Sequence, residues 1–406
     1  MLDPSRADDA LGAGVVVGVP AEPDRLAAAG AAVSLHAALR DVYPALRPLA
    51  VVLTGNADGA TAPEAVPVPL PPGGAPLVVH TGGGGPQADL PALLEVALAQ
   101  GAPACALLEP LPRAADPGWL RLLFEPVLSG GVDLVAPAYA RGRLEGVLVT
   151  GIVYPLTRTL FGHRLRQPLG REIVISRRLA EVLLRDEEWR TDPGHAGGDL
   201  WVVTKALLAE STVAQVFLGP RPLPQRQPED PPALLARILG TIFHEMEVHA
   251  RRWQRVKGSR SVPTTGDEHL PDPPGPPPSP GPLVAAFELG WQDLRTLWSA
   301  VLPPQTLLAL QRIAREPAEA FRVPDLLWAR VIYDFSVAWR VKAMERAQLL
   351  RSLTPLYLGW VASFVNEVAQ LDAAATEARV ERLCEAFEAE KPYLIARWRW
   401  PDRFAP

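Results

Sequence analysis

Short, Val-rich apolar runs recur through the first third of this chain, and they restrict its fold more than any other feature. Residues 14–19 (GVVVGV), 49–53 (LAVVL), 77–80 (LVVH), 104–108 (ACALL) and 133–136 (DLVA) are continuous rather than alternating. Such runs suit strands buried on both faces of a parallel sheet. Helix-length segments at 26–39, 89–100 and 117–128 lie between them. Strand–helix–strand alternation implies right-handed crossovers and a mainly parallel α/β sheet. Open sheets of this kind bind ligands at the carboxyl ends of their strands. The turns at 54–59, 82–85 and 109–110 are therefore predicted along one edge of a cleft.

Beyond residue 133 the pattern changes. Residues 147–161 read as helix, 167–170 as a turn, and 177–186 and 199–209 as helices. A last strand is predicted at 213–218 and one long helix at 234–256. Residues 261–282 hold nine prolines, a composition that favours an extended spacer and builds no core. After it the spacing is helical throughout. Phe287, Trp291, Leu294 and Trp298, then Trp328, Ile332, Phe335 and Trp339, mark one-sided apolar stripes of packed helices. The expected organisation is an α/β domain over 1–260, a proline-rich linker over 261–282 and a helical domain over 283–406. At 406 residues a chain is too long for one ordinary core, which fits that division.

A net charge of −5 lacks the basic footprint of a nucleic-acid-binding protein. Cys105 and Cys384 stand far apart, with neither a disulfide framework nor zinc-type spacing. The acidic start MLDPSRADDA has no basic-then-apolar leader, and no apolar run reaches membrane-spanning length. A cytoplasmic protein with no membrane span is the expectation; the sequence leaves a homo-oligomer open.

Several apparent motifs fail on geometry. Gly12, Gly14 and Gly18 precede or interrupt a strand, whereas a dinucleotide fingerprint needs its glycines in the turn after one. His244-Glu245-Met246-Glu247-Val248-His249 spaces its histidines five apart, so the rings diverge by about 140° around a helix and cannot share a zinc ion. A solvated helix face is expected there, and Arg251, Arg252, Arg255, Lys257 and Arg260 are expected on its polar side and end. The run Gly82–Gly85 is placed to cradle a phosphate with backbone N–H groups, but lacks the Lys-Ser/Thr ending of a P-loop.

The most pocket-like stretch is QPLGREIVISRRL at 167–179, followed by GGDLW at 197–201. Each delivers an acid, Glu172 or Asp199, from a Gly-containing turn. Together with Leu156-Thr157-Arg158, Arg177-Arg178, the GHAGGD segment at 194–199 and AQVFLGPR at 214–221, this stretch resembles a group of GT-A glycosyltransferases. That group makes glucosylglycerate, glucosyl-3-phosphoglycerate or mannosylglycerate, and the resemblance covers roughly 14–260. The helical C-terminal part is similar in general character to the mannosylglycerate branch.

The resemblance implies a GT-A (nucleotide-diphospho-sugar transferase) domain, a nucleotide-sugar donor, a small acidic acceptor and a divalent metal, Mg²⁺ or Mn²⁺, on the diphosphate. Glu172 and Asp199 then become the expected catalytic pair, orienting the acceptor hydroxyl or stabilising an oxocarbenium-like transition state. Gly83, Gly84, Gly85 and Glu109 are expected on the donor side, with Glu109 as the metal ligand, and Thr157, Arg158, Gln167 and Gly170 at the acceptor. The alternative for Glu172 is a simple ion pair with Arg158 or Arg178. Departures from the family cluster on the donor side. Its Asp-x-Asp reads Glu109-Pro110-Leu111, its Gly-Lys-Gly reads Gly83-Gly84-Gly85, its Asn-Glu reads Ala21-Glu22, and Leu223 stands where it has His. Two functions follow as expectations: an active hexosyltransferase, or a catalytically silent relative serving as a binding or scaffold module.

Overall fold

The structure is a computed structural model that describes residues 14–21, 25–56, 78–83, 89–110, 113–170, 172–191, 200–220, 230–266 and 279–401. The chain opens with β1 (Val15–Pro20), α1 (Arg25–Val42), β2 (Pro48–Asn56), β3 (Val78–Gly83) and α2 (Asp89–Ala99). Next come β4 (Ala104–Leu107), α3 (Pro117–Leu128) and β5 (Leu134–Ala140). A π-helical turn (Val149–Val153) runs into α4 (Tyr154–Phe161), then β6 (His163–Arg164), β7 (Ile173–Ser176) and α5 (Arg177–Leu184). They are followed by α6 (Glu188–Thr191), α7 (Trp201–Leu208), β8 (Val213–Pro220), α8 (Pro231–Val248) and α9 (Ala250–Trp253). Two short strands, β9 (Arg260–Ser261) and β10 (Thr264–Thr265), precede α10 (Gly281–Ser299) and α11 (Pro304–Ile313). The last four helices are α12 (Asp325–Val341), α13 (Arg346–Val368), α14 (Ala373–Ala389) and α15 (Lys391–Arg399). No described helix is long and apolar enough to cross a membrane.

Two compact units result. One comprises Met1–Ala140, Leu169–Gln225 and Val262–Glu268; the other comprises Arg141–Pro168, Arg226–Ser261 and His269–Pro406. Where the sequence suggests a single boundary at 260, the chain instead passes between units several times. Residues 141–168 and 226–261 belong with the helical C-terminal part because their charged and aromatic side chains find partners there.

The first unit is the expected α/β architecture. Its sheet has the order β10-β8-β5-β7-β4-β1-β2-β3. All pairings are parallel except those of β7, which runs antiparallel to both β4 and β5. Val15, Val17 and Val19 of β1 pack with Leu35 and Leu39 of α1 and with Leu120, Leu123 and Phe124 of α3, all of them buried. Gly18 interrupts the valine run for a steric reason: a Cβ there would lie 2.6 Å from Leu53 Cδ1. Asp116 starts α3 by accepting from the N–H groups of Gly118 and Trp119 at 2.9 and 3.1 Å.

Some local expectations need correction. Thr54 to Asn56 and Gly82–Gly83 are strand rather than turn, since Thr54–Thr81, Gly55–Gly82 and Asn56–Gly83 pair between β2 and β3. The long helix expected at 234–256 breaks at His249, whose φ of −103° and ψ of 23° leave the helical range and separate α8 from α9. Residues 264–265 pair with β8 instead of belonging to a spacer. Most of that spacer, 267–278, lies outside the described residues.

The second unit is helical. Helix α12 is not one-sided: eleven consecutive-turn positions from Trp328 to Trp339, Asp334 and Ser336 among them, are buried, as befits a central helix. Trp328 stacks on Trp360 of α13 with centroids 5.8 Å apart, and its Nε1 donates to Gly151 O in the π-helical turn at 2.8 Å. Phe287 of α10 meets Phe321 edge-on at 5.1 Å. Trp298 of the same stripe is fully buried, whereas Trp291 and Leu294 are only half-buried.

Candidate functional site

The parallel strands of the first unit end along one edge of the sheet, and β7 begins there because it alone runs the other way. Its register against β4 pairs Leu107 with Ile173. Continued by one residue, that register sets Glu172 across from Leu108, next to Glu109. Both carboxylate residues are buried, Glu172 at 1% exposure and Glu109 at 4%. The turn before Glu172 is held by Gly170, where a Cβ would lie 2.2 Å from Pro137 Cγ in β5. A glycine is therefore needed for the turn to pass over β5 and reach the carboxyl edge.

Glu172 and Glu109, with Gly170, are brought to this edge. Gly83 ends β3, three strand positions from β4, which is roughly 14 Å at the usual interstrand spacing. Gly84, Gly85 and Asp199 lie outside the described residues, so the expected approach of Glu172 and Asp199 does too. The simple pairing of Glu172 with an arginine is not what Arg178 and Arg158 do. Arg178 donates from Nε to Asp133 Oδ1 at 2.9 Å and from Nη2 to Oδ2. Asp133 also accepts from Ser176 Oγ at 2.9 Å and from Thr212 N–H at 2.9 Å. Burial raises the Asp133 carboxyl, but the Arg178, Thr212 and Ser176 bonds outweigh it and hold the pKa below the usual carboxylate range. This clamp sits at the opposite, amino edge and joins β5, β7 and α5. It is a structural role that the Arg177-Arg178 pair did not announce. Asp116, a few residues after Glu109, is committed to capping α3.

Thr157, Arg158 and Gln167 belong to the second unit. Thr157 Oγ1 donates back to Val153 O at 2.8 Å. Gln167 is half-buried in the turn after β6. Arg158 is fully buried and meets Glu381 at 2.6 Å and Glu388 at 3.0 Å. Burial disfavours its cation, yet the Glu381 and Glu388 bonds more than compensate and push its pKa above the ordinary value. In the same unit Glu245 is 0% exposed and lies 3.2 Å from His249 Nε2. Glu245 is thus buried where a solvated face is expected, while His244, Glu247 and His249 are half-buried and Val248 is exposed. The basic residues that follow, Arg251, Arg252, Arg255, Lys257 and Arg260, are exposed as expected.

For a divalent ion on a diphosphate, the chain offers Glu109, a hard oxygen ligand at the end of β4. Mg²⁺ is commonly held by one or two carboxylates with substrate phosphates and water completing its shell, so a single glutamate fits the group. Lys205, missed by the sequence reading, is held by Asp186 at 3.0 Å and Glu188 at 2.7 Å, while Trp201 Nε1 donates to Glu188 at 2.6 Å. The i, i+4 spacing of Trp201 and Lys205 is the only local signal for that cluster.

No protein-family model matches the sequence, and no curated protein matches it. Among solved structures, the chain is similar to a glucosyl-3-phosphoglycerate synthase from Mycobacterium tuberculosis, crystallised with phosphoglyceric acid. The identity is 16%, the match covers 66% of this chain and 94% of that one, and the TM-score is 0.38. A mannosyl-3-phosphoglycerate synthase from Rubrobacter xylanophilus matches at 18% identity over 66% of this chain and 81% of that one, with a TM-score of 0.37. A mycobacterial protein matches at 18% identity over 61% and 78%, also at 0.37.

Proposed function

We propose that this chain is a GT-A-type hexosyltransferase acting on a nucleoside-diphosphate sugar and a small acidic acceptor such as glycerate or phosphoglycerate. One observation carries the reading. A glycine-dependent turn delivers the buried Glu172 to the carboxyl edge of an otherwise parallel sheet, where such sheets bind ligands. In this reading Glu172 accepts a hydrogen bond from the acceptor hydroxyl and orients it toward the anomeric carbon, with Asp199 as its partner. The segment Gly83-Gly84-Gly85 offers backbone N–H groups to the donor phosphates. Glu109 would hold Mg²⁺ or Mn²⁺, which when bound neutralises charge on the leaving diphosphate. Gly170 shapes the acceptor wall beside Glu172.

A second reading, a silent relative that binds or scaffolds, is favoured by Leu111 in place of a second carboxylate and by the engagement of Arg158 with Glu381 and Glu388. Calorimetry with UDP- and GDP-sugars, with and without Mn²⁺, separates the two. Metal-enhanced binding, with product formation that falls about 100-fold or more in Glu172→Gln, supports the transferase. Absence of nucleotide binding at any metal concentration supports the scaffold.

A further inference from the structure

The second unit contains a cavity of about 530 Å³ lined by Pro303, Pro304, Thr306, Leu327, Arg330 and Tyr393, among others. It lies where two helices begin. Helix α11 starts from Pro303 and α12 from Pro324, and neither start has a side-chain cap. The first helical bonds are made by the N–H groups of Leu307 to Pro303 O and of Trp328 to Pro324 O. The preceding N–H groups, of Gln305 and Thr306 on α11 and of Asp325, Leu326 and Leu327 on α12, have no intrahelical acceptor. Asp325 does not fill the gap with its own carboxylate, which is held by Arg379 at 2.6 and 2.9 Å.

Two further observations point to a ligand. Thr306 is 5% exposed and lines the cavity, yet its hydroxyl has no hydrogen-bond partner among the described residues. Arg330 donates to Glu390 from Nε at 2.8 Å and Nη2 at 3.0 Å, which leaves Nη1 for another acceptor. Its guanidinium lies 5.1 Å from the centre of the Tyr393 ring. Tyr393 is held in turn by donation to both oxygens of Asp334 at 2.9 Å. Apart from Gln305, the rest of the lining is apolar: Ala309, Leu326, Leu327 and three prolines.

We infer that this cavity is a binding site for a small anion with an apolar body, its carboxylate or phosphate facing Thr306, Arg330 and the two helix starts. Uncapped helix N-termini favour anions through oriented N–H groups and the positive end of the helix dipole. An apolar wall with a few convergent polar groups, at this volume, is the usual form of a small-molecule site. The inference concerns the helical unit only and stands or falls independently of the transferase reading.

The test is titration of the full chain with benzoate, phenyl phosphate, benzyl alcohol and inorganic phosphate, followed by calorimetry and by the thermal midpoint. Benzoate or phenyl phosphate is expected to bind saturably, at least about tenfold more tightly than benzyl alcohol or inorganic phosphate, as one charge-assisted contact implies. Thr306→Val is expected to weaken the anion about tenfold by removing one hydroxyl of nearly unchanged volume. Ala309→Phe, which fills the cavity and touches none of the polar groups, is expected to abolish binding. Arg330→Gln serves as a check, with its fold verified by circular dichroism. The inference is overturned if no probe binds saturably, if benzyl alcohol or phosphate alone binds as well as benzoate, or if Ala309→Phe leaves binding intact.

Discussion

Arg158 grips Glu381 through two parallel bonds, Nη1 to Oε2 at 2.6 Å and Nη2 to Oε1 at 2.8 Å, while its Nε reaches Ser259 and Glu388, each at 3.0 Å. A fork that satisfies three partners cannot be reproduced by an ammonium, so Arg158→Lys is expected to lower stability by about 1–3 kcal/mol in urea unfolding. Truncation to Met should cost more, since Glu388 is then left half-buried without its cation. The same pair of variants tests the acceptor role. If Arg158→Lys folds with an unchanged urea midpoint but raises KM for the acceptor, recognition outweighs structure at this position.

Gly151 and Gly240 are both helical glycines, and they should respond to alanine with opposite signs. A Cβ on Gly151 would meet the Trp360 ring at 2.2 Å, while the carbonyl of the same residue accepts from Trp328. Indole rings stacked at 5.8 Å have little room to yield, so Gly151→Ala is expected to destabilise by roughly 1–3 kcal/mol and to change the near-UV tryptophan signal. On Gly240 of α8 the nearest atoms would be Leu350 Cδ1 and Trp339 Cη2 at 3.7 Å, ordinary contact. Gly240→Ala should stabilise by about 0.4–1 kcal/mol by restricting the unfolded chain. Equal and small effects at both sites would contradict the packing described for α12 and α13.

The parallel sheet was legible because buried strands need continuous apolar runs, and β1, β2, β4 and β5 have them. Strand β7 was not: IVIS lies between a turn and two arginines, and its place between β4 and β5 depends on pairing with residues about 40 and 70 positions away. The same holds for the unit boundaries. Arg158 and Arg166 tie α4 and the segment after it to Glu381 and Glu377 of α14, and ion pairs across more than 200 residues leave no local periodicity. Asp334 in the middle of an aromatic stripe reads as solvent-facing until Tyr393 and Arg397 are seen to enclose it. At the candidate site, Gly170 and Glu172 were readable since a turn glycine before an acid is a local signal. The pairing of Arg178 with Asp133 was hidden for the opposite reason.

Asp334 supplies a pH test. Burial lifts its carboxyl from 3.8 to about 6 despite the opposing Arg397 and Tyr393 bonds. A folded-state pKa above the unfolded value means the folded chain holds the proton between those two values. The contribution of Asp334 is therefore greatest at acid pH and is lost as pH rises from about 4 to 6, by roughly 2–3 kcal/mol. Other carboxylates titrate in this range with the opposite sign, among them Glu381 and Asp133, whose pKa values are lowered. The comparison must therefore be with Asp334→Asn. The stability of the wild type relative to that variant should decline across pH 4–6 in urea unfolding; a rise would mean that Arg397 and Tyr393 dominate over burial.

Lys391 gives a shift of the other sign in the alkaline range. Its side chain is largely buried, and Nζ donates to Thr159 O at 2.6 Å and Val256 O at 2.7 Å. Two neutral carbonyls do not replace the water lost, and burial brings the pKa down from 10.5 to about 8, with only Glu388 opposing. Between those values the unfolded chain binds the proton and the folded chain does not. Stability should then increase with pH, by up to about 3 kcal/mol in principle and by less after screening at a site that is not fully enclosed. The window to follow is pH 8 to 10, where the Cys105 and Cys384 thiols, pushed up by burial, oppose the trend in both chains alike; above it the raised tyrosines Tyr333 and Tyr393 oppose it as well. The comparison is therefore between the two chains: the stability of the wild type relative to Lys391→Met should rise across that window, although Met forfeits both carbonyl bonds and will start lower. If the two profiles run parallel, the ammonium is better solvated than its burial implies, and the carbonyl pair is acting as an adequate substitute for water.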